Sequence, residues 1–279
     1  MRSAGWVFAA GLIGGTAHAG AFPYAVHTQT LDNGLQVVVV PMPSPGVAAL
    51  GTWMRVGSRD EVDPGRTGFA HFFEHLMFLG TPSLSADERE RELLRMGADD
   101  NAWTWFDETV YHVLVPSAAL ERLIRMEGDR FQHLTLTPEQ VRRESGAVLG
   151  EYRKGRSDPG QRVTEALQGG AFRVHTYGHD TIGYEPDILA MPDAHAYAAT
   201  FFSTYYRPER AMVLAVGDVD PEAVFAAVRE GYGDVRPLRA GWSDRVALHQ
   251  LYPLLAHVVL FGAGYARQTI AAARAALAS

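Results

Sequence analysis

Cysteine is absent from all 279 residues. That excludes disulfides, thiolate metal ligands and a cysteine nucleophile, so any metal must be held by His, Asp or Glu. Positive charge is in short supply as well. Against 32 Asp and Glu stand 25 Lys and Arg, a net charge of −7, which gives no electrostatic case for nucleic acid as a partner. No G-x-S-x-G segment occurs, so a serine nucleophile has no support either. The late apolar stretch "LYPLLAHVVLFGAGYA" carries Pro253 and His257 and does not read as the roughly 20 apolar residues that span a bilayer. What is present is ordinary: 47% apolar and 20% charged residues, a globular composition sufficient for one large domain or two small ones.

The first residues read as a leader and not as fold. Arg2 gives a short positive end, Gly5 to Gly15 an apolar run, and Ala17-His18-Ala19 small residues at the positions a signal peptidase reads. Residues 1–19 are thus expected to be a cleaved signal peptide and the mature chain to be exported to the periplasm, with no membrane span after cleavage. Missing disulfides do not oppose export, since a large enough core needs no staples.

Residues 20–237 read as one unit. Asn33-Gly34 marks a turn feeding a strand from Leu35 to Val40, and "VAALGTWM" is a second strand. A polar loop leads to a helix from Gly68 to Leu79, whose Phe69, Phe72, Phe73, Leu76 and Met77 cover so much of its circumference that it should be buried. Ser85 with Glu88 has the capping-box spacing for a helix to Met96. "NAWTWFDETVYHVLVP" reads as two strands or one bent strand, with Trp103, Trp105 and His112 as packing residues. Helices follow from Ser117 to His133, from Pro138 after the Thr137 cap, over Gln161–Gly169 and over Asp193–Thr204. A last strand, "RAMVLAVGD", precedes a helix from Pro221 to Gly231. Hairpins, helices and one late strand imply an α+β fold, a mostly antiparallel sheet covered by helices. The tail, 238–279, has no readable role.

Within the buried helix, His71 and His75 stand four residues apart, on one face, where two imidazoles can meet one ion. Glu74 is placed to flank that ion and take a proton from metal-activated water. H-x-x-E-H arises by chance in about one such chain in forty, so the motif alone is not decisive. Its setting is more telling, because each buried polar group left unpaired costs about 1–3 kcal/mol and a metal would pair all three. A third ligand must come from elsewhere. On the helix after Pro138, Glu144 and Glu151 share a face two turns apart and either can reach the ion, whereas Glu139 reads as a surface acid.

These residues carry a resemblance. "HFFEH" followed by 75 residues and Glu151, the Asn-Ala-x-Thr segment at Asn101, "RRESGAVLGEYRKGRSDP", "TIGYEPDI" and "YYRPERAMVLAVGDVDPEAV" resemble the pitrilysin, insulinase and mitochondrial processing peptidase family, the inverzincins. The likeness runs from about Thr28 to Val235. It implies one Zn2+ per chain held by His71, His75 and Glu151, with Glu74 as general base and Glu144 as a carboxylate that orients a ligand. It also implies that Asn101 and Ala102 lie on a sheet edge where a peptide substrate adds as a strand. Family subunits resemble two successive α+β units; this chain has length for one, and the Arg-Tyr pair of the second is not found. Ala98-Asp99-Asp100 also replaces the family's paired glycines. The expectation is therefore a zinc endopeptidase that needs a second subunit or domain to supply the missing half; a non-catalytic binding or assembly module on the same fold is the rival reading.

Overall fold

The computed structural model describes residues 22–232 and 266–278. The leader and most of the 238–279 tail lie outside the described residues. Among the described residues six strands form one sheet: β1 (His27–Thr30), β2 (Gln36–Pro41), β3 (Val47–Met54), β4 (Asp99–Thr104), β5 (Thr109–Pro116) and β6 (Ala211–Gly217). Their order is β1-β2-β6-β3-β5-β4. Every neighbouring pair is antiparallel except β2 with β6. The late strand thus slots between two early ones, and among the described residues β4 is an edge strand.

The helices are α1 (Phe69–Leu76), α2 (Ala86–Met96), α3 (Leu120–His133), α4 (Pro138–Gly155), α5 (Pro159–Ala171), α6 (Glu185–Ala190), α7 (His195–Tyr205), α8 (Pro221–Tyr232) and α9 (Ala266–Ala278). Sequence chemistry sets several ends. Ser85 with Glu88, and Thr137 with Gln140, form reciprocal capping boxes, and Pro138 opens α4. Asn33 Oδ1 accepts from the Leu35 amide at 3.1 Å, and Gly34 takes φ +87°, turning β1 into β2.

The core lies between the sheet and the helices. α1 packs on β4, β5 and α4; α3 packs on β3 and α8; α8 packs on β2. Phe69, Phe72, Phe73, Leu76 and Met77 are fully buried, each ring or branched chain stabilising by about 1.5–3 kcal/mol relative to exposure. No helix among the described residues is long and apolar enough to cross a membrane.

Three expectations are corrected. α1 ends at Leu76, because Phe78 and Leu79 bond back to His75 and Leu76 in a tighter turn that leads to Gly80 at φ +95°. Residues Ser117–Ala119 form a 3-10 turn ahead of α3. Trp103, Trp105 and His112 are not packing residues: Trp103 is 40% and Trp105 57% exposed, and His112 is exposed too. In β5 the buried residues Tyr111, Val113 and Val115 alternate with His112 and Leu114 on the outer face, the period-2 geometry of a strand. β1 and α6, four and six residues long, are elements that the sequence reading did not include.

Candidate metal centre

α1 and α4 bring the acids and imidazoles together. His71 and His75, one turn apart on α1, have ring centroids 4.9 Å apart and nearly perpendicular planes. From α4, Glu151 Oε2 lies 3.5 Å from His71 Nε2 and 3.6 Å from His75 Nε2. Glu144, two turns earlier, places Oε1 3.0 Å from His75 Nδ1. One donor atom from each of His71, His75 and Glu151 lies within 4.8 Å of the others. Four-coordinate zinc with roughly 2.0–2.1 Å bonds sets neighbouring donors about 3.3 Å apart. The observed donor set fits that ion with little movement.

Electrostatics at His71 favour the same use. Burial, and then the neighbouring His75, lower the His71 pKa to about 4, so that its imidazole is neutral at pH 7, as a ligand must be. For His75, burial is the largest single influence and acts downward, but the hydrogen bond it donates to Glu144 and the charges of Glu151, Glu144 and Glu74 outweigh it and raise its pKa. With Nδ1 engaged by Glu144, His75 presents Nε2 to the centre. Glu151 is 49% exposed on its side chain, so one flank of the donor set opens to solvent.

Glu74 is buried beside the two imidazoles, and its pKa is raised, first by burial. Thr104 of β4 donates to Glu74 Oε2 at 2.5 Å. Thr104 lies 3.3 Å from Thr109 Oγ1, which donates to the Val56 carbonyl at 2.9 Å. A hydroxyl ladder from the sheet thus fixes the glutamate. Sequence reasoning gave Thr104 no role, although it closes the Asn-Ala-x-Thr segment. Asn101 and Ala102 sit on edge strand β4, next to α1, and the Ala102 amide donates to Asn101 Oδ1 at 2.8 Å. Glu139 is exposed at the start of α4, away from the donors.

The comparisons agree with this architecture. The family model of insulinase, peptidase family M16, matches residues 36–185, more than half of the chain. A zinc protease of Helicobacter pylori, PqqE, is 32% identical over 231 residues, covering 81% of this chain and 51% of that protein. The crystal structure of a protease from Helicobacter pylori superposes with a TM-score of 0.74 at 32% identity, over 78% of this chain and 52% of that one. That of the first half of the periplasmic protease PqqL from Escherichia coli gives 0.68 at 26% identity, over 77% of this chain and 47% of that one. A histidine pair on one buried helix, set against an α+β sheet with a carboxylate from a second helix, makes a candidate metal site on a fold shared with solved proteases. This chain belongs to the insulinase family, peptidase family M16. It spans about half the length of the relatives it matches. A model of fructosamine kinase also matches residues 204–279; of these, residues 211–217 form β6 inside the sheet and 221–232 form α8 against β2, so that portion is built into the peptidase fold.

Proposed function

We propose that the chain is the metal-binding half of a zinc-dependent endopeptidase that hydrolyses peptides or unfolded protein segments. The observation that carries this reading is the approach of Glu151 Oε2 to both imidazoles, 3.5 and 3.6 Å, with Glu74 buried alongside. His71 Nε2, His75 Nε2 and Glu151 Oε2 would hold one Zn2+. When bound, zinc supplies a Lewis acid that activates water and polarises the peptide carbonyl. Glu74 takes the proton of the attacking water and returns it to the leaving amine, and its raised pKa suits both duties. Thr104 holds Glu74 at Oε2, and Glu144 holds His75 at Nδ1. The substrate adds along β4 at Asn101 and Ala102, its strand displacing the Asn101 carboxamide from the Ala102 amide.

Because relatives are about twice as long as the matched span, a second subunit or domain completes the substrate clamp in this reading. Export to the periplasm is supported by the leader pattern and by a structural neighbour described as periplasmic. The test is elemental analysis of the purified chain and of Glu151→Ala, with cleavage of unstructured peptides measured alone and with candidate second halves. One zinc per chain, lost in Glu151→Ala, is expected. A wild-type chain that stays zinc-free and inert in every pairing rejects the proposal.

A further inference from the structure

α1 is only eight residues long and its N-cap is Gly68, which has no side chain to offer. Isolated helices this short are marginal, and their first amides need partners from outside. Here those partners come from remote segments. Buried Glu61 accepts from the Gly68 amide at 2.8 Å and from the Ala70 amide at 2.7 Å. Asp187 Oδ2 accepts from the Thr67 amide at 3.1 Å and from the Thr67 hydroxyl at 2.6 Å. The Thr67 hydroxyl accepts in turn from the Tyr184 amide at 2.8 Å. Buried His179 sets Nδ1 3.6 Å from Glu61 Oε2 and 3.0 Å from the Asp180 carbonyl oxygen.

Two glycines let these segments meet. Gly68 takes φ +81°, and a Cβ there would lie 2.2 Å from the Ile182 carbonyl oxygen. Gly183 takes φ +83°, and a Cβ there would lie 2.5 Å from the Gly68 nitrogen. Both backbones need glycine for conformation and for room.

The geometry points to a clasp, built from Glu61, Thr67, His179, Gly183 and Asp187, that sets the rotation of α1 and thereby aims His71, Glu74 and His75. Glu61 is its key positioning residue. This rests on the zinc reading above for its consequence, though not for its existence. A turn of about 20° in a helix whose side-chain ends lie about 6 Å from its axis moves a ring nitrogen by about 2 Å, as much as a zinc–nitrogen bond. Glu61 touches no reacting atom; it acts through the helix.

The experiment compares Glu61→Gln with Val228→Ala. The first leaves one carbonyl oxygen where two amides need acceptors. The second thins the core at a fully buried residue of α8, far along the chain from the clasp. Amide exchange of residues 72–76, zinc affinity by chelator competition, and kcat and KM are measured in both and in wild type. Glu61→Gln is expected to lower α1 protection about tenfold relative to α3, to weaken zinc about tenfold, in the range for lost orienting partners, and to lower kcat with KM unchanged. Val228→Ala is expected to lower Tm and change none of these selectively. Unchanged α1 protection in Glu61→Gln, or loss of protection and zinc that merely follows Tm in both variants, overturns the clasp. Should Glu61→Gln fail to fold, Thr67→Val undergoes the same measurements, and intact α1 protection there overturns it equally. A wild type that binds no zinc rejects the functional reading instead, while α1 exchange still decides the clasp.

Discussion

Arg89 of α2, Glu127 and Arg130 of α3 and Asp100 of β4 form one charged cluster. Arg89 reaches Asp100 at 2.9 Å and Glu127 at 3.1 Å, and Arg130 pairs with Glu127. The rings of Phe78 and Tyr111 lie 5.1 and 4.9 Å from the Arg130 guanidinium. Two cations thus meet two anions. At the candidate metal site, Glu74, Glu144 and Glu151 gather around two imidazoles, of which His71 is neutral at pH 7. Three carboxyl groups thus face two imidazoles, where the cluster sets two acids against two bases. Buried charge that serves only packing is expected to balance internally. The centre does not pair its acids and bases one to one, and His71, His75 and Glu151 offer donors spaced for one ion.

The comparison breaks most sharply at Glu74. Glu74→Gln keeps the volume and the Thr104 contact but removes the proton acceptor. Turnover should fall by about 10²–10⁴-fold with zinc content unchanged, measured on an unstructured peptide; retained turnover denies Glu74 its role. On the other side, Glu127→Ala strands two arginines in a buried setting. Removing one partner of a buried pair costs about 3–5 kcal/mol, read as a lower denaturant midpoint. Zinc bound per folded chain should not change, and a variant as stable as wild type removes the argument for a balanced cluster.

How much of this was legible depended on sequence distance. The Ser85–Glu88 box and the Thr137 cap are local signals, and the structure forms both, adding Gln140 as the second member of the Thr137 box. The two-face alternation of β5 and the buried character of α1 are equally local. The place of β6 between β2 and β3 is not, because pairing partners more than 150 residues apart leave no trace in either strand's own pattern. The clasp was invisible for the same reason: Asp187 reaches Thr67 across 120 residues, and Glu61 looked like one acid in a polar loop. Trp103 and Trp105 were misread because strand alternation says which residues share a face but not which face is covered. His71, Glu74 and His75 could be singled out because helical spacing puts them together. The approach of Glu151 is a tertiary contact: helix spacing leaves Glu144 and Glu151 both open, and resemblance alone chooses between them.

A smaller effect is expected at Glu144, which touches His75 and not the proposed ion. Glu144→Gln keeps one acceptor oxygen, and zinc affinity should fall about 10–100-fold, by competition with a chelator. Equal affinity in the variant makes Glu144 a bystander and leaves the acid surplus with one member fewer.

The smallest effect separates the balanced cluster by pH. Burial pushes the Glu127 pKa upward, but the charges and hydrogen bonds of Arg130 and Arg89 overcome it and leave it below the ordinary value. A carboxyl whose folded pKa is depressed binds fewer protons folded than unfolded across that interval. Its contribution is therefore complete above the unfolded value, about 4.3, and is lost as pH falls through the folded value. The Tm difference between wild type and Glu127→Gln should be level from pH 7 to about 5 and shrink below about 4.3. Taking that difference cancels the other carboxylates, which titrate in both chains. A gap that stays constant down to pH 3 means that the arginines do not hold Glu127 ionised, and the contrast with the unbalanced centre then loses its electrostatic basis.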